Sequence, residues 1–229
     1  METTKTFEQE GAVLLAQSDG CSVWQFRNDT GDGTMTTYDV CPGVMLCFND
    51  FHMEYYNSSF VPDHRILAID HCREGRMEYS AGNGMVGYTA AGDMKLDLRK
   101  QHTGAFHFPS CHYHGLTVAF DLAVTRQSLS DEVRDFPVTP ESILTRFSLD
   151  SYPRVLHGLK EAEHIFGEMY RIPEKIRIPY FKVKILELLL YLDAMTIPQA
   201  EEEPPYFYKT QVEKVEAIKH FLTEHPSEN

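Results

Sequence analysis

Basic residues are scarce in this chain: 21 Lys and Arg stand against 34 Asp and Glu, giving a formal net charge of −13 and a pI near 5.2. Lys and Arg supply most of the affinity for a phosphate backbone or an anionic bilayer, so neither is an expected partner of these residues themselves. Cysteine is sparse and odd in number, with five residues at positions 21, 41, 47, 72 and 111 and no C-x-x-C among them. That pattern fits reduced thiols in a cytosol better than a disulfide frame. Long apolar runs are missing too. The richest, Ile185 to Leu192, is broken by Glu187 and falls well short of the ~18–20 residues a membrane span needs. Near the N-terminus only Ala12 to Ala16 is apolar, between acidic flanks, so no signal peptide is expected. No G-x-S-x-G, Walker-type or Rossmann fingerprint occurs. The expectation is a soluble cytoplasmic protein, with one sizeable core and an appendage in its 229 residues.

What is present begins as β-structure. Short runs rich in β-branched and aromatic residues lie between Gly, Asn and Asp clusters: Ser22–Arg27, Met35–Val40, Val44–Phe51, Arg65–Cys72, Arg76–Ser80, Met85–Thr89 and Lys95–Leu98. Turns at Asp32-Gly33, Asn83-Gly84 and Gly92-Asp93 would join them into a sandwich or small barrel. Around Lys95–Leu98, Met94, Leu96 and Leu98 share one parity and Lys95, Asp97 and Arg99 the other, which reads as one dry and one wet face. The stretch Gln101–Leu122 holds four of the eleven histidines, at 102, 107, 112 and 114. Beyond Pro109 it alternates strictly. His112, His114, Leu116, Val118, Phe120 and Leu122 fall on one side, so both histidines of this H-x-H pair are expected to point inward.

After Asp131 the period changes. Pro137 and Pro140 mark a connector, and Ser151 with Pro153 suggests the start of a helix. Its apolar face would be Val155, Leu159, Ala162, Phe166 and Met169. A second helix is expected over Tyr180 to about Met195, with two apolar stripes. Ile185, Leu188, Leu189 and Leu192 form one; Val183, Leu186 and Leu190 form the other. A helix apolar on two sides is covered on two sides, and a second copy of the chain is a natural source of the second cover. Residues 196–208 read as a linker. Thr210-Gln211-Val212-Glu213 then reads as a capping box opening a last amphipathic helix.

The order of these parts resembles the AraC/XylS family of transcriptional regulators. Three passages carry the likeness: His71 to Glu78 resembles a "C-x-x-G-R-x-E" turn between two strands of the cupin-like sensor domain. Phe181 to Leu192 resembles the "K-x-K-x-L-E-L-L-x-x-L" helix that follows it. Gln211 to His225 resembles the helix that opens the DNA-binding domain. The resemblance implies a mainly β plus α fold, a cupin-like antiparallel barrel or sandwich followed by a helical dimerisation unit. Residues 1–130 would be the ligand-sensing barrel, 131–197 the two-helix dimerisation unit, and 198–229 a linker and the first helix of a DNA-binding domain. The two helix-turn-helix units of the family would need on the order of 100 further residues. The chain is therefore expected to sense a small-molecule effector and form a homodimer, with DNA contacted only through that further domain.

Candidate ligand-binding residues are Phe48, Glu54, Tyr56, Arg76, Glu78, Phe106, Phe108, His112 and His114, a set of aromatic walls with a few polar anchors. Arg76 and Glu78 can instead form a structural ion pair. The dimer candidates are Val183, Leu186, Leu189 and Leu190. His107, His112 and His114 are candidate metal ligands, with Glu54 or His102 to complete a set; a metal-dependent cupin enzyme, a dioxygenase or isomerase, is the alternative they support. Two histidines on one strand fall short of the three or four ligands zinc takes. Haem is a variant of that idea, because His107, Cys111, His112 and Tyr113 are all usable axial ligand types. No C-x-x-C-H motif is present to attach it covalently.

Overall fold

The computed structural model describes residues 11–82, 85–99, 102–125, 129, 133, 135–150, 152–197 and 206–225. The Asn83-Gly84 turn, Ser151 and residues 198–205 of the expected 196–208 linker lie outside these residues.

Ten antiparallel strands come first: β1 (Val13–Ser18), β2 (Cys21–Asn28), β3 (Gly31–Cys41), β4 (Val44–His52), β5 (Tyr55–Phe60), β6 (Ile66–Gly82), β7 (Met85–Ala90), β8 (Met94–Arg99), β9 (His102–His107) and β10 (Tyr113–Asp121). A large sheet runs β1-β2-β3-β4-β10-β6-β8. A smaller one runs β5-β9-β6-β7. The 17-residue strand β6 belongs to both. Its first half pairs with β10 and β8 and its second with β7 and β9, so the sheet curls over on itself.

That strand corrects the sequence reading at His71–Glu78, which is no turn but the point where β6 changes sheets. Opposite His114 and Gly115 of β10 the register slips past Arg73. Gly75 takes φ +81, and a Cβ there would lie 2.1 Å from the carbonyl oxygen of His112. Only glycine permits that φ together with so close an approach. Asp32-Gly33 is likewise inside β3 rather than a turn. A Cβ on Gly33 would fall 2.2 Å from the ring of Phe51.

Past β10 come α1 (Pro140–Arg146), β11 (Arg154–Leu156), α2 (Glu163–Met169), α3 (Arg177–Ala194), β12 (Tyr206–Tyr208) and α4 (Lys209–Glu224). α1 fills what reads in the sequence as a connector. Thr139 caps it, exchanging hydrogen bonds with Ser142 in both directions. The helix expected from Pro153 starts later. Arg154–Leu156 extends instead and pairs with β8, and helical structure begins with a 3₁₀ turn at Lys160–Ala162. The Thr210 capping box does not form either. Tyr208 is the N-cap, its backbone N–H donating to Gln211 Oε1 at 3.2 Å.

The large sheet is buried on both sides. On one side Leu46, Leu67, Ile69, Leu96, Leu116, Val118 and Phe120 pack against α1–α3 in a single apolar core with Phe166, Phe181, Leu188 and Leu192. On the other side Trp24, Phe26, Phe51, Tyr79, Phe106, Phe108 and Tyr113 form a second core inside the curl. Within α3 the stripe Ile185, Leu188, Leu189 and Leu192 is buried, while Val183 and Leu190 remain 60% and 44% exposed. Leu189 is therefore part of the chain's own core, and the exposed stripe is Val183 and Leu190 with half-buried Leu186 between them. No described helix is long and apolar enough to cross a membrane.

Candidate functional site

Inside the curl lies a partly open cavity of about 160 Å³. Its side walls are aromatic and flexible: Phe51, Tyr56, Phe60, Phe106, Phe108 and Tyr113, with Met35, Met45 and Met77. Phe108 stacks between Phe51 and Tyr113, ring centroids 5.5 and 5.6 Å away. A second concavity, larger at about 370 Å³ but open to the surface, lies along α2 and the start of α3 between His164 and Tyr180. The one inside the curl is the better site because convergent buried polar groups meet its apolar walls there.

Those polar groups sit on β4, β6, β8 and β10. Asp70 is 2% exposed and Lys95 1%. Arg99 Nη2 donates to both carboxylate oxygens of Asp70, at 2.7 and 2.8 Å. Lys95 Nζ stands 3.2 Å from Asp70 Oδ2 and lies over the ring of Tyr79. Burial alone would raise the Asp70 carboxyl, but Arg99 and Lys95, helped by a hydrogen bond from Thr117, hold it well below the usual carboxylate range. Thr117 Oγ1 gives Asp70 Oδ1 that bond at 2.7 Å. A threonine hydroxyl has one hydrogen, so toward its 3.4 Å neighbour Asn49 it can only accept. The Asn49 amide nitrogen must face it. Asn49 Oδ1 is left buried with no partner, an unused acceptor on the cavity wall. Cys47 lines the same wall, and burial pushes its thiol up to about 12.

Lys95, Asp97 and Arg99 thus do not form a wet face. They turn toward the curl, and Lys95 is neutralised by a buried carboxylate 25 residues upstream. Of the ligand candidates, Tyr56, Phe106 and Phe108 line the cavity and six do not. Phe48 points the other way, against Tyr38, Tyr170 and Phe181 under the helices. Glu54 lies in the exposed turn before β5. Arg76 Nη2 and Glu78 Oε1 pair at 2.8 Å, with the guanidinium over Tyr88. His114 faces the helix side, edge-on to Tyr170 at 5.3 Å, where burial pushes its pKa down. His112 sits just before β10 on that same outer side, its ring 4.9 Å from His52.

The strict alternation in β10 is real, but both of its faces are buried, and the cavity belongs to the other one: Tyr113, Thr117 and Ala119. The haem candidates also diverge. Tyr113 faces the cavity, Cys111 is exposed at φ 54, and His107 lies beside Tyr55 on β9. The three metal candidates do not converge, and the side chain of His102 lies outside the described residues. The residues missed from sequence are Asn49, Asp70, Arg99 and Thr117. The signal available was an Asp inside the apolar run Ile66–Cys72, since an unpaired buried carboxylate is costly and demands a cation.

No family model and no curated protein matches this chain. Among the solved structures that are similar to it are two that align over most of its length. The AraC-like transcriptional activator CuxR is 12% identical, over 90% of this chain and 72% of that one, with a TM-score of 0.46. Procruciferin, the 11S globulin from Brassica napus, is 12% identical over 87% of this chain and 54% of that one, with a TM-score of 0.30.

Proposed function

We propose that this chain is a cytoplasmic sensor region that binds a compact, mostly apolar effector inside its curled, cupin-like sheet. We further propose that it belongs to a transcriptional regulator of the AraC type. The observation that carries the reading is the cavity inside the curl with aromatic walls and one unpaired acceptor, Asn49 Oδ1, over a neutralised Asp70–Arg99 floor. A cavity of about 160 Å³ is close to the ~150 Å³ that takes up benzene. The effector class is thus a single-ring aromatic carrying a hydroxyl or amine that donates to Asn49.

The order of parts supports the regulator assignment: sensor sheet, α2 and α3, then α4. In this reading Val183, Leu186 and Leu190 pair with the same stripe of a second copy, and DNA is contacted by a domain beyond α4. Sensing rather than catalysis is favoured by the chemistry of the cavity. Burial keeps the Cys47 thiol protonated. Two cations and a hydroxyl engage the Asp70 carboxylate, leaving it unavailable as a base or nucleophile.

The test is a thermal-shift and fluorescence titration with phenols, anilines and benzene as probes. Trp24, the only tryptophan, lies in the cavity-side core and reports occupancy. At a hundred times its Kd a guest that binds only the native state adds about 2.7 kcal/mol. A phenol or aniline should raise Tm and shift Trp24 emission more than benzene does. No saturable response to any of the three overturns the reading.

A further inference from the structure

On the outer side of the same strands, Asp50, His52 and His112 bring one donor atom each to within 4.8 Å of one another. Among the described residues this is the one cluster of that kind. We propose that it is a binding site for a divalent first-row transition metal, separate from the cavity and independent of what the cavity holds.

The strands build the cluster. Asp50 and His52 are two apart on β4, so they share a face. Tyr113 pairs with Phe51 and His114 with Asp50, a register that brings His112, just ahead of β10, beside His52. Gly75 lets the His112 backbone lie against β6. His52 Nε2 is 3.1 Å from Asp50 Oδ1, and the two imidazole rings are 4.9 Å apart. Two imidazoles and a carboxylate suit zinc, nickel, cobalt or ferrous iron, whereas an all-oxygen set would suit magnesium or calcium. With three protein ligands the centre keeps positions open for water.

Glu74 adds a second carboxylate, its Oε2 3.5 Å from His112 Nε2. If Nε2 faces the metal, Glu74 is within reach of it. If Nδ1 does, the Nε2–H points at Glu74, the carboxylate partner that metal-bound histidines usually have. All three ligand side chains are about one-third to three-fifths exposed, so an ion can enter from solvent.

The test uses the full chain without an affinity tag, titrated with Zn2+ by calorimetry and with Co2+ by visible absorption at pH 7.5. Saturable binding of one equivalent is expected, with cobalt bands of a low-coordinate nitrogen–oxygen site. His52→Ala and His112→Ala should each weaken Zn2+ binding by roughly tenfold or more, and His107→Ala should not. Unchanged circular dichroism and cavity-guest response in these variants would show that the ligands, not the fold, were lost. Sub-stoichiometric zinc uptake, or uptake unchanged in the His52→Ala/His112→Ala double variant, overturns the proposal.

Discussion

Arg99 places one guanidinium nitrogen against both oxygens of Asp70, at 2.7 and 2.8 Å, inside the sheet that walls the cavity. Removing either charge leaves the other with longer pairings alone, Lys95 at 3.2 Å for Asp70 and Asp97 at 3.7 Å for Arg99. Asp70→Ala leaves the buried Arg99 and Lys95 to share the more distant Asp97, at 3.7 and 3.5 Å, and is expected to cost about 3 kcal/mol in urea unfolding. Replacing Asp70, Lys95 and Arg99 together with apolar residues of similar size should recover much of that loss. A triple variant as unstable as the single one would refute the pairing argument.

His71 gives the fold a dependence on acid. It stacks on Phe166 at 4.1 Å, its Nδ1 is buried without a partner, and burial brings its pKa down from 6.5 to about 4. The folded state thus holds the proton less tightly than the unfolded chain. Its stabilising contribution is complete above about pH 6.5 and is lost as pH falls toward 4, by about 3 kcal/mol in all. His71→Phe keeps a ring against Phe166 and should flatten stability over that interval, as measured by denaturant midpoints at half-unit pH steps.

Two leucines a single position apart should behave in opposite ways. Leu189 is fully buried in the chain's own core, so Leu189→Glu should abolish cooperative unfolding. Val183→Glu and Leu190→Glu lie on the exposed stripe and should change stability by no more than about 0.5 kcal/mol. On the proposed dimer reading they should also halve the mass seen in sedimentation equilibrium. A chain that is already monomeric at micromolar concentration would remove that reading.

Ala119 offers a way to close the cavity without touching its polar floor. Its methyl lines the wall beside Met45, its pairing partner on β4. Ala119→Leu should raise Tm by filling space, a gain of about 0.5–2 kcal/mol, while abolishing the Trp24 response to aromatic guests. Retained guest response in a folded Ala119→Leu protein would place binding elsewhere.

Much of this architecture is legible in the sequence, and where it is not the reason is physical. Runs of β-branched and aromatic residues between turn signals reveal β2, β3 and β4, period-two alternation reveals β8 and β10, and period 3.6 reveals α3. Alternation cannot say which interior a face meets when both are buried. His112, His114 and Phe48 therefore fall on the helix side and Tyr113 and Thr117 on the cavity side. The charged parity of β8 looks solvated because its neutralising partner, Asp70, lies on another strand. In α3 the two stripes read correctly as distinct, and Leu189, though a dimer candidate, follows its own stripe into the core. Gly75 looks like a turn residue because a bulge and a turn use the same positive φ.

β12 is hydrogen-bonded to β7, and β7 to the part of β6 that carries Met77 on the cavity wall. The 16-residue α4 springs directly from β12, so it is a lever about 24 Å long whose fulcrum is fastened to the wall. A tilt of about 5° at the fulcrum would swing its tip by about 2 Å over that length. A displacement of Met77 that tilted β12 would be magnified at the tip of α4 without passing through α3.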